Sequence, residues 1–154
     1  MNIGSGKGYP LSQLCSDSLH TFELDGVKST SFESLAQGLK FEKASQQVTV
    51  CREAPKAARE RGKKAIGWKN SQTLWWKGQV MERRSEAHRA LLHRAVSQMA
   101  NQCPAFRHAL MDTGATLLQS VAQSKEFDVP VTEAEYCAAL TEVRTQLLRM
   151  PAAA

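Results

Sequence analysis

The stretch from Glu82 to Asn101 constrains the fold more than any other. Ala87, Leu91, Ala95 and Met99 recur every fourth residue with Leu92 and Val96 beside them, while Arg83, Arg84, Arg89 and Arg94 take the other faces. Apolar residues at that spacing line one side of an α-helix, and a stripe of several turns needs other elements to cover it. A partner helix is predicted after Pro130. Thr132-x-x-Glu135 has the form of a capping box, and Ala138, Leu140, Val143, Leu147 and Leu148 supply an apolar face that ends before Pro151. Pro104 opens a further helix through about Asp112, Thr113-Gly114 breaks it, and Ala115 to Gln123 resumes helical composition. Glu53 to Arg61 is also helical, with Pro55 in the first turn and Gly62 at the stop.

The N-terminal part differs in period. Thr21-Phe22-Glu23-Leu24 alternates, meets Asp25-Gly26 and continues as Val27-Lys28-Ser29, which predicts a short β-hairpin. A helix from about Ser31 to Lys43 follows. Gln46 to Cys51 is expected to be a short strand or an extended link, and Gly67 to Gly78, with Trp68, Trp75 and Trp76, a loop or turn with aromatic anchors. The predicted class is mainly α with minor β: one compact domain over residues 1–154, of about six helices and an N-terminal hairpin.

Several functional classes are disfavoured. No stretch approaches the roughly 18–20 apolar residues of a membrane span, so no membrane partner is expected. Met1 to Pro10 lacks the apolar core of a signal peptide, and a cytoplasmic location is expected. Cys15, Cys51, Cys103 and Cys137 stand far apart without CxxC pairs, and His20, His88, His93 and His108 form no HExxH, so free thiols and no metal site are expected. The net charge of +5 is uneven, because residues 52–94 hold twelve Lys/Arg against four Asp/Glu. Such a segment attracts phosphate when it is not simply a solvated face.

On the helix from Ser31, Glu33, Gln37 and Lys40 fall at i, i+4 and i+7, placing a carboxylate, an amide and an amine on one face beside the apolar Phe32, Leu35 and Leu39. That row is one way to build an acid/base pair at a pocket wall. Simpler readings stand beside it. Thr30-x-x-Glu33 also fits a capping box, and Lys40 fits a solvated lysine near a helix C-terminus.

Tyr9-Pro10-Leu11-Ser12-Gln13-Leu14, then Phe22 to Gly26, then Ser31-Phe32-Glu33 through Lys40-Phe41 resemble, in order and spacing, the NADAR family. The chain reproduces that family's E-x-x-x-Q-x-x-K-F frame, and Ala54-Pro55-Lys56-Ala57-Ala58 with Arg61-Gly62, Leu110 to Gly114 and Leu140 to Arg144 look like its later motifs. The resemblance covers a core of about residues 9–149. Gln13 replaces the usual Asn, Ser34 replaces a common His, and the late W-G-x-G segment is missing near Glu126 to Pro130.

The resemblance implies cleavage of an N-glycosidic bond between ribose and an exocyclic amine, without cofactor or metal. One implied substrate is ADP-ribosylated guanine in nucleic acid, where the enzyme would release ADP-ribose and reverse a toxin or phage-defence modification. The alternatives are a phosphorylated riboflavin-pathway intermediate, or no catalysis and binding of ADP-ribose or nucleic acid alone. It implies Glu33 as proton shuttle and Lys40 as a Schiff-base nucleophile. Substrate contacts would come from Ser12, Gln13 and Gln37, from Arg61 and Lys64 on phosphate, from Trp68 by stacking, and from Thr113, Gly114 and Asp128.

Overall fold

The computed structural model describes residues 1–3, 7–120 and 124–150. Two long helices, α5 (Glu86–Gln102) and α7 (Glu133–Arg149), pack together with α6 (Pro104–Asp112) beside them. The stripe of α5 is buried as predicted at Leu91, Leu92, Ala95, Val96 and Met99, and α7 turns Leu140, Val143 and Leu147 toward it. The predicted capping box at Thr132 and Glu135 is present. It satisfies two amides that the helix start would otherwise leave bare.

The hairpin β1 (Phe22–Leu24) and β2 (Val27–Ser29) pairs Phe22 with Ser29 and Leu24 with Val27. Asp25 and Gly26 both take positive φ (51° and 84°), as the tight turn requires. The Asp25 carboxylate then accepts from Trp76 Nε1 at 2.8 Å and from Arg94 Nη1 at 2.7 and 2.9 Å, joining this turn to a second hairpin and to α5.

That second hairpin, β3 (Thr73–Trp76) and β4 (Gln79–Glu82), corrects the expected loop over Gly67 to Gly78. Leu74 and Trp76 alternate inward around a Lys77-Gly78 turn with φ of 52° and 83°. The segment before it is a short helix, α4 (Gly67–Ser71), which makes seven helices among the described residues against about six predicted.

The helix expected from Ser31 to Lys43 is also divided. α1 (Phe32–Gly38) ends early, and Gln46 to Cys51, expected to be extended, lies within α2 (Ala44–Arg52). The β-branched Val48, Thr49 and Val50 carry a weak strand preference that tertiary contacts override. Gln47, buried in α2, donates to the carbonyls of Gly38 (3.0 Å) and Trp75 (2.8 Å) and accepts from the Lys77 amide (2.9 Å). Gly38 lets α2 come close, since a Cβ there would stand 2.7 Å from Cys51 Sγ. α3 (Pro55–Gly62) follows as predicted and packs on α1.

The helical composition of Ala115 to Gln123 does not become helix over 115–120, and Val121 to Gln123 lie outside the described residues. Instead Asn2 bridges Gln119, and the Ile3 amide donates to Gln119 O at 2.7 Å. The backbone there is spent on the N-terminus rather than on a helix. All of this encloses one hydrophobic cluster in which Trp68, Phe22, Phe32 and Phe106 are the largest fully buried side chains. No helix among the described residues is long and apolar enough to cross a membrane.

One ionic group with a buried cation ties the link between β4 and α5 to the start of α7. Arg83, its side chain 1% exposed, donates to both oxygens of Glu135 (2.8 and 2.7 Å) and to Val129 O (2.9 Å). Burial works to raise the Glu135 pKa, but bonds from Arg83 and Thr132 outweigh it and the net direction is down. Burial lowers His88, more than Glu135 raises it, so its neutral ring is the form the fold holds. Both shifts have the same sign for stability. The unfolded chain binds the extra proton, so these contributions are full above the ordinary values of 6.5 and 4.5 and fade as pH falls through the lower folded ones. Urea midpoints should therefore drop from pH 7 toward pH 4. Arg83→Met should cost about 3–5 kcal/mol at pH 7, because it strands a partly buried carboxylate.

Candidate active site

α1 begins one residue later than its sequence suggests. Ser31 is the N-cap, accepting from the Ser34 amide at 3.0 Å, while Thr30 donates its hydroxyl to Glu53 O at 2.6 Å. Glu33 is thereby released from the expected capping box. Its backbone amide bonds Ser16 O (2.8 Å), and its half-buried carboxylate accepts from Gln37 Nε2 at 3.0 Å. The i, i+4 pairing predicted for these two residues is formed.

Lys40 lies in the turn after α1 rather than inside the helix. Its Nζ sits 5.6 Å from the centre of the buried Trp68 ring and 3.4 Å from Gly62 O. Burial lowers the Lys40 pKa, Glu33 opposes that, and nearby Lys69 adds to the lowering. The direction is therefore toward a neutral amine, even though an aromatic face favours the cation.

Gly62 is where α3 touches this group. A Cβ on it would lie 1.8 Å from Gln37 Oε1 and 3.2 Å from Lys40 Nζ, so any larger residue displaces the Gln37 side chain. Gln37 is buried, and its Oε1 has no hydrogen-bond partner among the described residues. By local pattern Gly62 is a helix stop, and the resemblance at Arg61-Gly62 does not tell of its contact with Gln37, because that contact joins residues far apart in the chain.

The other expected site residues divide into near and remote. Lys69 stands 3.9 Å from Asp128, which brings Asp128 to the edge of the Trp68 helix. Ser12 and Gln13 form a half-buried 3-10 turn whose carbonyls meet Ser18 Oγ (2.7 Å) and His20 Nε2 (2.8 Å); Asp17, a few residues on, stands 3.8 Å from Arg59 of α3. Arg61 pairs with Glu53, and with Lys64 it lines a separate cleft of about 300 Å³ between α2 and α3, beside Phe41 and Thr49. Thr113, expected at the substrate, bonds within the fold. It is buried, donates to Leu110 O at 2.6 Å and accepts from Arg144 at 2.8 Å, so its hydroxyl is committed to the fold. Gly114 (φ 59°) ends α6 beside it and makes no hydrogen bond to Glu33, Gln37 or Lys40.

Among the described residues no group of three or more His, Cys, Asp or Glu is placed to hold a metal ion, and the four cysteines are free and buried. Burial pushes the Cys51 and Cys137 thiols up to about 11, far from a reactive thiolate at neutral pH. The side chains gathered at the site offer a carboxylate, an amide, an amine and an indole face.

Known proteins share this framework. The fold is that of the E. coli protein YbiA, whose NMR structure matches with a TM-score of 0.66 at 16% identity, over 96% of this chain and 84% of that one. This bears out the NADAR-like fold class. The chain belongs to the family of bacteriophage protein GP30.3, whose model matches residues 8–145. It is 29% identical over 149 residues to the uncharacterized 17.1 kDa protein in the Gp30-rIII intergenic region of Enterobacteria phage T4, covering 96% of this chain and 98% of that protein.

Two measurements test the geometry. Methyl-labelled lysines followed by NMR should show Lys40 deprotonating below the ordinary 10.5, and Glu33→Gln should lower it further because the opposing carboxylate charge is gone. Gly62→Ala should lose about 1–3 kcal/mol in urea unfolding through overpacking and should displace the Gln37 side-chain resonances.

Proposed function

We propose that this chain is an N-glycosidic hydrolase that removes ADP-ribose from ADP-ribosylated guanine in nucleic acid, with Glu33 and Lys40 as its catalytic pair. The observation that carries the reading is the position of Lys40: its amine is desolvated against Trp68, held by Gly62 O and displaced toward the neutral form beside a Gln37-held carboxylate. A neutral amine is the nucleophile that imine chemistry needs.

In the proposed reaction Glu33 gives its proton to the ribose ring oxygen. The C1′–O4′ bond breaks as the exocyclic nitrogen forms a C=N bond to C1′. Lys40 Nζ adds to that carbon. Glu33 then carries a proton from the lysine nitrogen to the departing nitrogen, the base leaves as its free amine, and a Lys40 Schiff base remains. Water adds to it, releasing the sugar and restoring the amine. Gln37 orients Glu33 through its amide nitrogen. Trp68 supplies an apolar wall, and Lys69 with Asp128 borders it.

A second reading, hydrolysis of a small phosphorylated aminopyrimidine riboside, is favoured by the state of the basic segment. Arg59, Arg61, Lys63, Lys69, Arg83, Arg84 and Arg94 each have a carboxylate partner, which leaves less unopposed charge for a long phosphate backbone than the sequence advertises.

An oligonucleotide carrying ADP-ribosyl guanine tests the first reading. Wild type should release ADP-ribose, with Glu33→Gln and Lys40→Ala slower by about 10²–10⁴-fold. Borohydride should trap a sugar adduct on wild type and none on Lys40→Ala. Release that falls steeply with salt supports the nucleic-acid substrate, whereas turnover confined to the small riboside with a shallow salt response supports the second. Absence of turnover on both overturns the hydrolase.

A further inference from the structure

A cleft of about 340 Å³ lies between the start of α5 and the first half of α7, bordered by Arg84, Ser85, His88, Arg89 and Glu135. It shares no lining residue with the Glu33 and Lys40 group. Its floor holds His88, 1% exposed. The Nε2 of this ring lies 2.9 Å from Pro130 O. A carbonyl only accepts, so Nε2 carries the proton, and in the neutral ring Nδ1 is a bare lone pair.

That lone pair faces a second acceptor. Nδ1 makes no hydrogen bond among the described residues and stands 3.8 Å from Glu135 Oε2. Oε2 takes only one hydrogen bond, from Arg83 Nη1 at 2.8 Å, while Oε1 takes those from Arg83 Nη2 and Thr132. Two acceptors, one on the buried ring and one on a quarter-exposed carboxylate, thus meet at the cleft with no donor between them. A group with two donor hydrogens satisfies both, and a primary ammonium does so while bringing a charge opposite to that of Glu135.

The rest of the lining points to the other end of the same ligand. Arg89, which has no carboxylate partner among the described residues, and Arg84 border the cleft, and Ser85 caps α5, whose 17 residues place a positive helix end there. Leu92, Ala138 and Ala139 supply an apolar wall. We infer that this cleft binds a small zwitterion of the α-amino-acid class: its ammonium donates to His88 Nδ1 and Glu135 Oε2, its carboxylate meets Arg89, and a short aliphatic side chain lies on the alanines.

L-Valine is the probe, with isovalerate lacking the ammonium and isobutylamine lacking the carboxylate. Imidazole 15N spectra of the whole chain report on Nδ1 directly. Valine should shift the His88 Nδ1 resonance toward that of a hydrogen-bonded acceptor while leaving Nε2 in place, and each half-molecule should bind about tenfold more weakly. Arg89→Ala should weaken valine by a similar factor with an unchanged thermal midpoint. The inference is overturned if valine leaves Nδ1 unmoved at millimolar concentration, in which case a water bridges the two acceptors. It is equally overturned if all three compounds act alike or if Arg89→Ala binds valine as wild type does.

Discussion

The approach of α3 to α1 at Gly62 is the constraint on which the rest of the candidate site depends. A Cβ at that position would stand 1.8 Å from Gln37 Oε1, so the absence of one side chain gives the Gln37 amide the place it occupies. The approach buries Gln37, turns its amide nitrogen to Glu33, and gives Lys40 Nζ a carbonyl acceptor beside an indole face. Interiors are packed too densely to absorb an extra methyl there without moving one of the three polar side chains.

Electrostatics organise the opposite end of the molecule in a different way. Arg83 and Glu135 are a pair with a buried cation, fixed by a carbonyl and a capping box, and their value to the fold lies less in net Coulomb energy than in the cost of disturbing either partner. The capping box does double duty there. Glu135 satisfies the start of α7 and also anchors Arg83 from the end of β4, so the hairpin, α5 and α7 share one polar joint. The basic stretch that stands out in the sequence is drawn into such joints, with Asp17, Asp25, Glu126 and Asp128 each meeting one of its cations. Charge that looks like a binding stripe when counted along the chain is partly internal wiring.

Much of the architecture was legible because its signals are local. The period of α5, the proline at the start of α3 and α6, the Asp25-Gly26 turn and the Thr132 box each act through residues a few positions apart, and each formed. The errors fell where a distant partner decides. Residues 46–51 form a helix because Gln47 reaches Gly38, Trp75 and Lys77 at once, and 115–120 do not because Met1 to Ile3 take their backbone groups. Within the site, the Glu33 and Gln37 pair follows from helical spacing. The partners of Thr113 were not legible, because a Thr-Gly after a helix has the same form whatever its hydroxyl meets, here Arg144.

The sequence by itself determined that the chain is mainly helical with a small hairpin, that Glu33 and Gln37 share a helix face, and that Lys40 follows within a turn. These rest on backbone periodicity and capping, which involve neighbours alone. Only the tertiary structure decided that Lys40 is desolvated, that Glu33 is not spent on a cap, and that Gly62 is the closing contact. The physical reason is that protonation and orientation depend on what is brought up from elsewhere in the chain. Burial, an aromatic wall and a neighbouring charge come from α3 and α4, and no spacing within α1 encodes them.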